Sequence, residues 1–153
     1  MDLSDTDYVV IVQCDIVRQR CSGYFCEKAF HERADGFAAY PADKPLRALY
    51  LTCGGCCGKG VQRRLTHLGR MIQKHEGIGR DRIVVQFASC ITRDNYHSPR
   101  CPFADYMKDL AARAGFRSRE DTHLSPLAEA RRAEGRYARR PAAADGPPDA
   151  GDT

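Results

Sequence analysis

Three stretches of the chain are almost unbroken in apolar, largely β-branched residues: Tyr8-Val-Val-Ile-Val-Gln-Cys14, Leu46-Arg-Ala-Leu-Tyr-Leu-Thr-Cys53 and Arg82-Ile-Val-Val-Gln-Phe-Ala-Ser-Cys90. Short runs without polar alternation predict strands covered on both faces. Between and after them the spacing becomes helical. Val61, Leu65, Leu68 and Ile72 share one face, while Arg63, Arg70 and Lys74 point away. Phe103, Met107, Leu110 and Ala114 repeat that pattern further on. Residues 24–34 predict a helix without a clean stripe. Residues 116–123 predict a fourth, more polar strand, suited to a sheet edge.

Strands alternating with helices imply a parallel sheet joined by right-handed crossovers. The fold class expected is therefore α/β: a small three-layer domain over residues 1–123. Its sheet would be open, mainly parallel and about four strands wide, with the Cys-rich loops at the strand carboxyl ends. From residue 124 the composition changes. Residues 124–140 could form one exposed helix, and 141–153, rich in Ala, Pro and Gly, have nothing apolar to bury.

At 153 residues the chain suits one core. No run approaches the roughly 18 apolar residues that cross a bilayer, so no membrane partner is expected. The first residues, Met1-Asp-Leu-Ser-Asp-Thr-Asp7, are acidic and polar rather than basic, unlike a secretory signal. A cytoplasmic location is the expectation, and there a reducing thiol pool disfavours structural disulfides. The net charge of +4 comes from 24 basic residues scattered among 20 acidic ones. A nucleic-acid face would concentrate them in a stripe, so no nucleic acid is expected. The surplus reads better as compensation for bound thiolates.

The cysteines change the picture, since there are 8. Cys14, Cys53 and Cys90 each fall at the expected end of a strand, and so on one rim of a parallel sheet. Cys21 and Cys26, Cys56 and Cys57, and Cys101 follow in the loops after those strands. Pro102 reads as a first helical position, which makes Cys101 a candidate N-cap. Cys56 and Cys57 precede a helix expected to begin near Gly60. A helix N-terminus favours the thiolate, the form that binds metals. Gly54 and Gly55 allow the tight curl that would turn Cys53 and Cys56 inward together. Cys57 is the candidate bystander, because adjacent cysteines rarely reach one ion. Among histidines, His31 and His67 lie on polar helix sides and His75 beside an apolar stripe, where packing is expected. His97 falls in the Cys90–Cys101 loop, and His123 would end the fourth strand on the same rim.

Cys53-Gly-Gly-Cys56 after a strand, preceded by Cys14, Cys21 and Cys26, resembles the CGGC-domain family of prokaryotic metal-binding proteins. The likeness extends through Cys26-Glu-Lys-Ala-Phe-His-Glu-Arg33, Ser89-Cys90-Ile-Thr-Arg-Asp-Asn-Tyr-His97 and Pro99-Arg-Cys101-Pro102 to Thr122-His123. The chain departs from the family at Cys57, where proline is frequent. It departs again at Asp121 and Leu124, so a second terminal histidine is missing. The resemblance implies a metal-binding module and supports the ligand set Cys14, Cys21, Cys26, Cys53, Cys56, Cys90, Cys101 and His123. All-thiolate ligation suits zinc or an iron–sulfur cluster, and the resemblance leans slightly to zinc.

Two other functions compete. Cys53 and Cys56, spaced Cys-x-x-Cys at a strand-to-helix junction, could serve a thiol–disulfide oxidoreductase. That would leave six cysteines unexplained. Cys57-Gly-Lys-Gly60-Val-Gln-Arg63 has the Cys-x-x-Gly-x-x-Arg spacing of cysteine phosphatase loops, which cradle phosphate on backbone N–H groups and clamp it with arginine. In such loops the cysteine directly follows its strand, whereas Cys57 follows Cys53 at a remove.

Overall fold

A computed structural model of the chain describes residues 1–93 and 100–135. His97 and the expected tail at 141–153 lie outside them. Strands β1 (Tyr8–Gln13) and β3 (Ile83–Phe87) are buried along their whole length, which is where such continuous apolar runs belong. They form the middle of a four-stranded sheet in the order β2-β1-β3-β4, with β2 spanning Arg47–Thr52 and β4 Arg117–Glu120. Every pairing is parallel. The polar β4 takes an edge, as its composition predicts.

Helices follow the strands in turn: α1 (Asp15–Arg18), α2 (Tyr24–Glu32), α3 (Gly60–Glu76), α4 (Ser89–Thr92), α5 (Ala104–Arg113) and α6 (Pro126–Ala133). Alternate residues of β1 serve opposite faces. Tyr8, Val10 and Val12 join Val61, Leu65 and Ile72 of α3 and Met107 and Ala111 of α5 in one cluster. Val9 and Ile11 pack on the other face against Ala29 of α2, Phe37 and Tyr40. The domain is therefore a three-layer α/β sandwich. Burying a side chain of this size contributes about 1.5–3 kcal/mol, so the two faces together fix the strand register. No helix among the described residues is long and apolar enough to cross a membrane.

Several boundaries differ from expectation. β1 ends at Gln13, and Cys14 is the N-cap of α1. β3 ends at Phe87 and Cys90 lies inside α4. The apolar run continues through Ala88, so composition hides the place where the ladder stops. Phe103, not Cys101, caps α5. His75 is exposed rather than packed, at the last turn of α3. Of the helix expected over 124–140, the described residues hold α6, which ends at Ala133, and 136–140 lie outside them. Helix α6 is capped by Ser125, whose side chain accepts from the Ala128 N–H, and Ala128 is fully buried.

The buried Gln86 ties the second face to the rim. Its Oε1 accepts from the Tyr40 hydroxyl (2.7 Å), and its Nε2 donates to the carbonyls of Gly36 and Glu120 (3.1 Å each). Gly36 in turn donates its N–H to the Thr122 carbonyl (2.9 Å). A Cβ on Gly36 would lie 2.2 Å from the Asp121 carbonyl oxygen and 2.5 Å from its carbon, both backbone atoms that cannot swing aside. Gly36→Ala should accordingly destabilise the fold by about 1–3 kcal/mol, read as a lowered urea midpoint. An unchanged midpoint would mean that this contact is absent.

Candidate metal centre

The parallel ladder between β1 and β2 pairs Gln13 with Thr52 at its carboxyl end. It continues one step further, because the Cys53 N–H donates to the Gln13 carbonyl (2.9 Å). Cys14 and Cys53 are thus neighbours across the two strands, and their thiols hydrogen-bond one another. The chain then turns into α1, which aims two backbone donors at sulfur. The Cys14 N–H reaches Cys90 Sγ at 3.3 Å, and the Asp15 N–H reaches Cys53 Sγ at 3.3 Å. Three thiols far apart in sequence therefore surround one dipeptide, Cys14-Asp15.

Asp15 is itself held in place. Its carboxylate accepts from the Thr52 hydroxyl (2.7 Å), and Arg64 of α3 donates to both the carbonyl and the hydroxyl of Thr52 (2.8 and 2.9 Å). Sequence reading missed this clamp. Asp15 contributes to sulfur through its backbone, which no side-chain motif advertises.

The hydrogen bonds set the protonation of the thiols. Cys53 receives the Cys14 S–H, then the N–H groups of Asp15 and Gly55, and these outweigh burial to bring its pKa down to about 6. The same contact holds Cys14 in the thiol form, with burial adding to it, so its pKa rises far above the ordinary value. Cys90 is pushed up to about 12, first by burial and then by the nearby sulfurs of Cys26 and Cys21, against the Cys14 N–H.

Beyond Cys90 lies a cavity of about 30 Å³ lined by Gln13, Arg18, Cys21, Cys26, Thr122 and His123, among others. That volume takes a water or an ion but little more. Cys26 Sγ lies 3.2 Å from the Thr122 hydroxyl, and Cys21 Sγ accepts from the Gly23 N–H at 3.4 Å. Thr122 was not singled out from sequence, yet its hydroxyl also accepts the Ser89 N–H (3.2 Å). Asp121, with φ of 73°, presents it: Arg93 forks onto the Asp121 carboxylate at 3.1 and 3.0 Å, with the Thr92 hydroxyl at 2.7 Å. His123 walls the cavity but does not end a strand. Its ring stacks on Phe25 at 4.6 Å, and Nδ1 lies 3.4 Å from the Asp35 carboxylate.

The remaining cysteines stand further out. Cys56 and Cys57 are exposed. Cys101 packs half-buried against the main core, with its N–H on the Ile91 carbonyl (2.9 Å). Of the residues with phosphatase-loop spacing, Cys57 and Arg63 are both exposed. The N–H groups of Gly58 and Val61 are spent on the carbonyls of Gly55 (2.7 Å) and Gly58 (3.2 Å), so neither is free to cradle a phosphate.

Among the described residues, no three Cys, His, Asp or Glu side chains already form a closed metal site. The donor chemistry fits a thiophilic metal nonetheless. One sulfur favours the thiolate, two thiols touch, and a third receives a backbone donor from the same turn.

The family model of the CGGC domain matches residues 8–123, which runs from the first residue of β1 to the cavity wall at His123. The chain belongs to the CGGC-domain family. Compared with curated proteins and with solved structures, it matches none significantly.

Ionisation of Cys53 supplies a prediction. An ultraviolet thiolate titration of the metal-free chain should show a group ionising near pH 6 that Cys53→Ser removes. Cys14→Ala should move it upward, because a donor to the thiolate is lost. An unfolded cysteine ionises near about 8.5. The folded pKa is lower, so the stabilisation from this group is complete above about 8.5 and disappears as the pH falls through about 6. A wild-type chain with no thiolate ionising below about 8 would contradict this assignment.

Proposed function

We propose that the chain holds a thiophilic metal centre, zinc or an iron–sulfur cluster, with Cys14, Cys53 and Cys90 as its fixed ligands. The observation that carries this reading is the convergence of the three thiols on Cys14-Asp15. Cysteines serving only as small apolar side chains have no need to share donors in this way. Membership of the CGGC-domain family supports it.

Four thiolates complete one tetrahedral zinc or one cluster. Cys21 and Cys26, beside Cys90 in the cavity wall, are the nearest further donors on this reading, with His123 behind them. Cys56 and Cys101 would have to approach from the adjoining loops. Cys57 is left as the bystander. The metal would supply its charge to hold all ligands as thiolates. Since Cys14 is kept protonated by Cys53, ligation must release that proton, and uptake of metal should acidify a weakly buffered solution.

Elemental analysis and an absorption spectrum of anaerobically purified full-length chain test the proposal. A coloured protein carrying iron and sulfide would identify a cluster, and a colourless one with stoichiometric zinc would identify zinc. Serine keeps the size of cysteine but is a far poorer ligand for such metals. Serine at 14, 53 or 90 should lower metal content sharply, with smaller losses at 21 and 26 and the least at 57. Undiminished metal content after Cys14→Ser and Cys90→Ser would refute the ligand set.

A further inference from the structure

The closeness of Cys14 and Cys53 has a chemical consequence that needs no metal. The two residues are the next step of a parallel register that ends at Gln13 and Thr52 and is extended by the hydrogen bond from Cys53 N to Gln13 O (2.9 Å). Paired strands lie about 4.7–4.9 Å apart, inside the roughly 4.4–6.8 Å between Cα atoms that a disulfide spans. The Cys53 sulfur lies against the backbone that follows Cys14, since it accepts the Asp15 N–H at 3.3 Å. Cys14 is half-buried and so reachable from solvent, while Cys53 is 7 % exposed. Cys56 has no such framework. It is exposed, and follows Gly54 and Gly55, whose φ angles of 80° and 101° swing the chain away from the extended course of β2.

We propose that Cys14 and Cys53, rather than Cys53 and Cys56, are a redox pair that exchanges with low-molecular-weight disulfides. One sulfur of the pair, as thiolate, attacks a sulfur of the small disulfide. The S–S bond of that molecule breaks and one small thiolate leaves. The second cysteine gives up its proton to that leaving thiolate, and its sulfur then attacks the mixed disulfide. The Cys14–Cys53 bond forms as the second small thiolate departs and takes a proton from solvent. The small disulfide is reduced to two thiols, and two cysteine thiols are oxidised to one disulfide. The Asp15 N–H on Cys53 Sγ (3.3 Å) favours negative charge on that sulfur in each step.

The full-length chain, reduced and held with a chelator, is mixed with oxidised glutathione, quenched by alkylation at short times and mapped by peptide mass spectrometry. The first disulfide should join the peptide containing Cys14 to the one containing Cys53, with loss of two thiols per chain and fragmentation placing the bond on Cys53. Cys56→Ser should still form the same link, while Cys14→Ser should abolish it. Cys56→Ser alters an exposed side chain, so the test holds even where a variant at buried Cys53 does not fold. A first bond looped within the peptide that holds both Cys53 and Cys56 would overturn the proposal. So would mixed disulfides that persist on Cys14 and Cys53 without joining, or failure of both thiols to react.

Discussion

The parallel register of β1 and β2 is the constraint on which the rest of this rim depends. Side chains alternate across a strand, so a slip by one residue would send the whole apolar set of β1 to the wrong layer. Both faces of β1 are buried, against α3 and α5 on one side and α2, Phe37 and Tyr40 on the other. Hydrophobic burial along the whole of β1 therefore decides that Cys14 stands beside Cys53. That register leaves the two thiols no other place.

Closeness then dictates chemistry. Two neighbouring thiols resist losing both protons, since the second thiolate would face the first. Cys53 takes the charge because it receives the Cys14 S–H, and Cys14 keeps its proton because that contact and burial outweigh the N–H groups of Val17 and Ile16. Cys90, buried and close to two further sulfurs, stays neutral despite the Cys14 N–H. A cation that binds several of these sulfurs removes the repulsion, and so does a covalent bond between Cys14 and Cys53. Metal ligation and oxidation draw on the same stored proximity and exclude each other at those two residues.

Much of the fold was legible in the residues. The unbroken runs of β1 and β3 place them centrally, the polar β4 takes an edge, and the Val61, Leu65 and Ile72 stripe turns inward. The rim was legible as a region, since all three runs carry cysteine at or just past their ends. Its detail was not. Ala88 and Ser89 remain buried after β3 has ended, so no change of composition announces that Cys90 has entered a helix. The four-residue helices α1 and α4 are too short for any period to show. Thr122 reaches the thiols because Arg93 and Thr92 hold Asp121 at a positive φ, a tertiary arrangement that local sequence does not encode. His75, beside an apolar stripe, lies at the helix end, where the core no longer reaches it.

X-ray absorption at the metal edge of the anaerobically purified full-length chain tests the central claim most directly, because it reads the ligand atoms themselves. Thiolate ligation predicts a first shell dominated by sulfur, at about 2.3 Å if the metal is zinc. A shell of nitrogen and oxygen alone would contradict a centre built on Cys14, Cys53 and Cys90.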